Sequence, residues 1–186
     1  MSLLREILEH NRLFVEQKKY EPYLTSKLPS KRYVVVSCMD TRLIELLPAS
    51  MDIRNGDVKL LKTAGAVVSH PFGSVMRSIL IAIYELNADE VFVIGHHDCG
   101  MSSVNPKEIE EQMLKRGITE ETLRILKVSG FDIEKWLRGF NSVEESVRNS
   151  VNVIRNHPLL SKIPVHGLII HPNTGKLDIV EEGYQV

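Results

Sequence analysis

Short, continuous runs of apolar, mostly β-branched residues alternate along this chain with stretches whose apolar positions recur every three to four residues. Tyr33–Ser37 is one such run, and its lack of polar alternation predicts a central strand buried on both faces. Val58–Leu61, Val91–Gly95, Val165–Ile170 and Leu177–Val180 predict four more strands. The last two are joined by the turn Asn173-Thr174-Gly175-Lys176, about hairpin distance apart. Leu4, Ile7, Leu8, Leu13 and Phe14 place an amphipathic helix over residues 2–18. Leu43–Leu47 reads as a short helical turn stopped by Pro48. Met76, Ile79, Leu80, Ile83 and Leu86 predict a helix from Val75 to Leu86, with Ser74 as its N-cap. Residues 101–140 differ in texture: Asn105-Pro106, Gly117, Gly130 and Gly139 punctuate charged helical pieces, a helical excursion and not a separate domain. Val143, Val147, Val151 and Ile154 stripe a further helix over Ser142–Asn156.

Strands alternating with helices predict an α/β fold: a mostly parallel central β-sheet of about four parallel strands plus one antiparallel edge strand. Helices flank it, and the N-terminal helix forms an arm. The whole, 1–186, reads as a single domain, as its 186 residues suggest. The arm needs cover, from its own domain or from a second subunit. Composition adds only exclusions. Hydrophobic content of 43% and charged content of 25% are ordinary for a soluble protein, and 23 basic against 24 acidic residues argue for no nucleic-acid or membrane partner. The longest apolar stretch, around Ile79–Leu86, is far short of the ~20 residues that span a bilayer. The start, Met1–Glu6, lacks the apolar core of a signal peptide, so the expected location is cytoplasmic.

Candidate chemistry sits where the first and third apolar runs end. Cys38 follows the first, in Ser37-Cys38-Met39-Asp40-Thr41-Arg42, and Cys99 follows the third, in Gly95-His96-His97-Asp98-Cys99-Gly100. Ligands in parallel α/β sheets bind beyond the carboxyl ends of strands. If these two strands are adjacent, ~4.8 Å apart, their tips can offer two thiolates to one metal at ~2.3 Å from each sulfur. His96-x-x-Cys99 adds a nitrogen from the same turn, and flanking Gly95 and Gly100 let the backbone bend tightly. Two Cys and one His leave a fourth zinc position open, as catalytic sites do. Buried apolar cysteines and a thiol-redox pair are the rival readings, but no C-x-x-C is present.

Adjacent residues at a strand end point in opposite directions, so either His96 or His97 faces the metal; the H-x-x-C spacing favours His96. Asp40 can reach the open position or hydrogen-bond a water there, and Arg42 can hold that carboxylate in a two-pronged grip. Asp98 reads as a local turn or cap contact. His70, His157 and His171 each precede a proline and belong at element ends, while His10 lies on a helix face and His166 in or beside a strand.

Cys38-x-Asp40-x-Arg42, an Ala64-Gly65 loop and His96-x-x-Cys99-Gly100 together resemble the β-class carbonic anhydrases, most strongly over residues 31–101. The resemblance implies zinc (one Zn2+ per chain) on Cys38, His96 and Cys99, with Asp40 and Arg42 as catalytic dyad and Gly65 lining the carbon dioxide pocket. In some members the aspartate is itself a fourth zinc ligand, which would add Asp40 to the metal set. It also implies a homodimer or higher homo-oligomer, its N-terminal helix reaching over the partner, and reversible hydration of carbon dioxide to bicarbonate. The alternatives are zinc chemistry on another heterocumulene such as carbon disulfide, or non-catalytic zinc or bicarbonate binding. The family's loop often reads Arg-Asn-Ala-Gly; Lys62-Thr63 here keeps the positive charge and is expected to lose the two-pronged bonding of arginine.

Overall fold

The computed structural model describes residues 2–184. Its centre is a five-stranded sheet of β1 (Tyr33–Cys38), β2 (Lys59–Thr63), β3 (Glu90–His96), β4 (Val165–Ile170) and β5 (Leu177–Glu181), in the order β2-β1-β3-β4-β5. The first four run parallel and β5 is antiparallel to β4. This is the predicted α/β arrangement, with strands one or two residues longer at some ends. The strands at 33 and 90 are neighbours, in the register Val36 to Val93 and Ser37 to Ile94, which brings their carboxyl tips side by side.

Two cores form because both faces of the central strands are apolar. On one face Val34, Val36, Val91, Val93 and Val165 pack against α3 (Ser74–Tyr84) and α7 (Val143–Arg155). Helix α7 lies close: a Cβ on Gly95 would sit 2.8 Å from Val143 and Val147, and one on Gly167 2.7 Å from Val147. On the other face Val35, Ile94 and Ile170 meet Leu43 and Leu47 of α2 (Leu43–Ser50), and both cysteines belong to this second core.

Three expectations need correction. Helix α2 runs through Pro48 to Ser50. The ring costs the helix one amide donor, but the buried Leu43 and Leu47 fix it and the Met51 amide still closes onto Leu47. Helix α3 begins at Ser74 and not beyond it, Gly73 being the cap position with no side-chain bond, and it ends at Tyr84. The tight turn after β3 is made by Asp98, at φ 55, in keeping with its reading as a turn residue, while the flanking glycines do not bend it; Gly95 serves the approach of α7 instead.

The excursion consists of α4 (Pro106–Lys115), α5 (Glu120–Val128) and α6 (Ile133–Leu137), capped in turn by the side chains of Asn105, Thr119 and Asp132. The N-terminal helix α1 (Leu3–Glu16) buries none of its residues, and Leu3, Leu4, Ile7 and Leu8 are all more than half exposed. Among the described residues, no helix is long and apolar enough to cross a membrane.

Candidate active site

The tips of β1 and β3 bring Cys38 and Cys99 together from 61 positions apart: their sulfurs lie 3.9 Å from each other. His96, the last residue of β3, is 1% exposed. Its donor atom and the two sulfurs all lie within 4.8 Å of one another, in a group able to hold a metal ion. The ring's orientation is fixed chemically. Nδ1 is 2.8 Å from the carbonyl oxygen of His97, which can only accept, so Nδ1 carries the proton. Nε2 then presents a lone pair, and among the described residues it has no hydrogen-bond partner although it is buried. A buried, unsatisfied imidazole nitrogen beside two thiols is the donor set that a zinc ion completes. His97 turns the other way, its ring centroid 6.0 Å from that of His171.

The two thiols are unequal. Burial pushes Cys38 up, but the His96 imidazole and the amides of Asp40 and Gly65 more than offset this and bring it down. Burial, reinforced by the neighbouring Cys38, drives Cys99 up. Cys38 is therefore the readier of the two to ionise.

Asp40 Oδ2 lies 3.7 Å from His96 Nε2, at the edge of the donor group. Both of its oxygens are engaged by Arg42: Nε donates to Oδ1 at 3.0 Å, the NH2 group to Oδ2 at 2.9 Å, and the Arg42 amide to Oδ1 at 2.9 Å. This grip holds the Asp40 carboxyl down at about 2, well below the usual carboxylate range. Arg42 also reaches the other loop, donating to Asp98 Oδ2 at 2.8 Å and to the Asp98 carbonyl at 2.9 Å. Asp98 is thus more than a turn residue. Through Arg42 it ties the Cys38 loop to the Cys99 loop, a link that local sequence gave no sign of.

Gly65 stands in the left-handed region at φ 69, in a single 3-10 turn (Ala64–Ala66) directly after β2. A Cβ there would lie 2.8 Å from the Phe140 ring and 3.0 Å from Met101 Cγ, so the excursion buttresses this turn. A cavity of about 490 Å³ near this turn, bordered by Val67, Met101, Phe140 and Ser146, includes neither Gly65 nor the donor residues. Lys62 keeps the positive charge without the guanidinium fork, and its ammonium donates singly to the carbonyls of Cys38 and Leu43. The remaining histidines stay apart from the site. His157 is packed against Phe72, and His166 is stacked on Phe92.

Known proteins are similar to this chain over most of its length. The family model described as carbonic anhydrase matches residues 33–177. The Bacillus subtilis protein named "Putative carbonic anhydrase YvdA" is 61% identical over 186 residues, covering all of this chain and 94% of its own. A carbon disulfide hydrolase of Acidithiobacillus thiooxidans is 28% identical over 159 residues, covering 80% of this chain and 76% of its own. The crystal structure of β-carbonic anhydrase isoform I from Trichomonas vaginalis superposes with a TM-score of 0.87 at 34% identity, covering 99% of this chain and 100% of the other. With the thiol–imidazole group at the tips of the same two strands and the match running from β1 into β5, this chain belongs to the β-carbonic anhydrase family.

Proposed function

We propose that this protein catalyses the reversible hydration of carbon dioxide to bicarbonate and a proton, with zinc held by Cys38, His96 and Cys99. The observation that carries the reading is the placement of an Arg42-clamped Asp40 3.7 Å from the unpartnered Nε2 of His96. A site for metal binding alone has no use for an oriented carboxylate at its rim. Zinc held by these residues would supply Lewis acidity, lowering the pKa of a bound water from ~15.7 towards ~7.

The chain's own residues do the rest. Arg42 keeps Asp40 ionised and turned. Asp40 accepts a hydrogen bond from the attacking water and so aims the oxygen lone pair at the carbon of carbon dioxide. Arg42 engages both Asp40 oxygens yet leaves lone pairs free on each, so the oriented carboxylate can still accept from water at the rim of the donor group. The Gly65 amide supports the Cys38 thiol, and its turn, seated against Phe140 and Met101, forms a wall of the carbon dioxide pocket in this reading. His96 Nδ1–H is anchored on the His97 carbonyl, so the ring does not swing during turnover.

The reading includes a homodimer within a single-domain fold, α1 covering a second copy, because that helix exposes its apolar side chains and buries none. Reduced, unbridged cysteines suit the cytoplasm. The relatives named carbon disulfide hydrolase support a second substrate, though at far lower identity than the relatives named for carbonic anhydrase. Zinc content measured together with stopped-flow hydration of carbon dioxide from pH 6.5 to 9, and with carbon disulfide in parallel, tests both. Stoichiometric zinc without carbon dioxide turnover at alkaline pH refutes the hydratase reading.

A further inference from the structure

Residues Met39–Arg42 form irregular backbone between the end of β1 and the start of α2, and they include both members of the Asp40–Arg42 pair. A pair within one segment cannot by itself set where that segment sits over the metal donors. Something outside must hold it. On the β3 side that anchor is Asp98, through Arg42. On the β2 side the backbone supplies one bond, from the Met39 amide to the Thr63 carbonyl at 2.9 Å. Within the segment the closing bonds, Leu43 N to Asp40 O at 3.1 Å and Ile44 N to Thr41 O at 3.4 Å, are local and lengthen towards the helix.

Lys62 provides what is missing. It stands beside Ser37 in the β1–β2 register, and its ammonium reaches across the strand tip to the Cys38 carbonyl at 3.3 Å and the Leu43 carbonyl at 3.2 Å. These two carbonyls bracket the four-residue segment, one at each end. Among the described residues no carboxylate lies in ion-pair contact with Lys62, so the ordinary reading of a half-buried lysine as a salt-bridge partner fails. Its donors go to backbone oxygens, which fixes chain geometry, while its charge also acts at a distance on Cys38 and Asp40.

We propose that Lys62 is a positioning residue that pins both ends of the Met39–Arg42 segment and thereby sets the placement of Asp40 over the Cys38–His96–Cys99 group. Its effect on rate rests on the hydratase reading; its effect on the segment does not. The test uses the zinc-loaded full chain with Lys62→Met, which keeps the length of the side chain and removes its donors, and Lys62→Arg, which restores donors to both carbonyls. Backbone hydrogen exchange of a peptide covering residues 38–46 is expected to speed by about tenfold in Lys62→Met, with zinc still at one per chain. Hydration is expected to lose about tenfold in kcat with KM little changed, since a misplaced carboxylate misaligns the attack without weakening substrate entry. Lys62→Arg is expected to recover most of both effects. Unchanged exchange in Lys62→Met overturns the proposal, as does a Lys62→Arg protein no better than Lys62→Met. Loss of zinc from Lys62→Met also overturns it, because the lysine would then act on the metal donors and not on the segment. Should wild type bind zinc and fail to hydrate carbon dioxide, the hydratase reading falls and the exchange data alone decide the role of Lys62.

Discussion

Replacing Arg42 by Met removes two of the three hydrogen bonds to Asp40, those from Nε and NH2, and leaves the one from the Arg42 backbone amide. The carboxylate stays ionised at neutral pH even if it returns to its ordinary value of 3.8, so charge is not what is lost. Orientation is. A freed side chain samples about three χ1 wells where one was held, which at RT ≈ 0.59 kcal/mol costs about 0.6 kcal/mol. Hydrogen bonds involving charged groups are worth about 1.5–3 kcal/mol, but Arg42 is partly exposed and the amide contact persists, so less than one full bond is lost in the reacting geometry. Together these give about 2 kcal/mol, or a fall of about 30-fold in kcat/KM. The control is Asp98→Asn, which keeps a residue tolerant of the positive φ at that turn. The Asp98 side chain is 82% exposed, and Arg42 retains the Asp98 carbonyl. An exposed pair is worth about 0–1 kcal/mol, so this variant should lose no more than about fivefold. Stopped-flow hydration with a pH indicator, on protein of verified zinc content, measures both. An Arg42→Met protein within threefold of wild type, or an Asp98→Asn protein as impaired as Arg42→Met, refutes the assignment of Arg42 as the orienting clamp.

Cys38→Ser and Cys99→Ser should each lower zinc content to below about a tenth of stoichiometry and abolish hydration, because a serine hydroxyl is a poor zinc donor; elemental analysis after dialysis checks this. Since Cys99 is held protonated by burial and by Cys38, zinc uptake at neutral pH must expel at least one proton. Affinity should therefore rise by about tenfold or more per pH unit between pH 6 and 8, read by chelator competition; a flat profile would mean that the thiols are not the ligands. A Cβ on Gly139 would fall 1.8 Å from the Met101 carbonyl oxygen, a backbone atom that no rotamer change can move away. Gly139→Ala should cost about 1–3 kcal/mol and lower Tm by roughly 2–12 °C in a thermal melt, and an unchanged Tm would count against the observed seating of the excursion on Met101.

The sheet and the donor set were legible because their signals are local. Continuous β-branched runs such as Val34–Val36 mark central strands, and a thiol directly after such a run lies at a strand tip, where parallel sheets place their ligands. The grip of Arg42 on Asp40 is also a short-range contact, two residues apart. What stayed hidden depends on long side chains crossing between loops. Asp98 lies 56 positions from Arg42 and Lys62 lies 24 from Cys38, and no spacing rule relates them. The run of α2 through Pro48 was hidden for another reason: proline's local penalty is plain in the sequence, whereas the burial of Leu43 and Leu47 that outweighs it is a tertiary effect. The turn at Asp98 was legible, since Asp tolerates a positive φ; only its cross-loop tie to Arg42 was not.

The pairing of β1 with β3 also dictates an order of events in the life of the chain. A nascent chain that has emerged only through β2 holds one of the two thiols and lacks His96, and a folded site requires β3 to slot in beside β1 after α2, β2 and α3 have intervened. Long-range parallel pairings of this kind form late, after the closure entropy of the loop has been met. A metal taken up by these three donors would therefore report that β3 has found its place beside β1, whether or not β4 and β5 have yet closed the sheet.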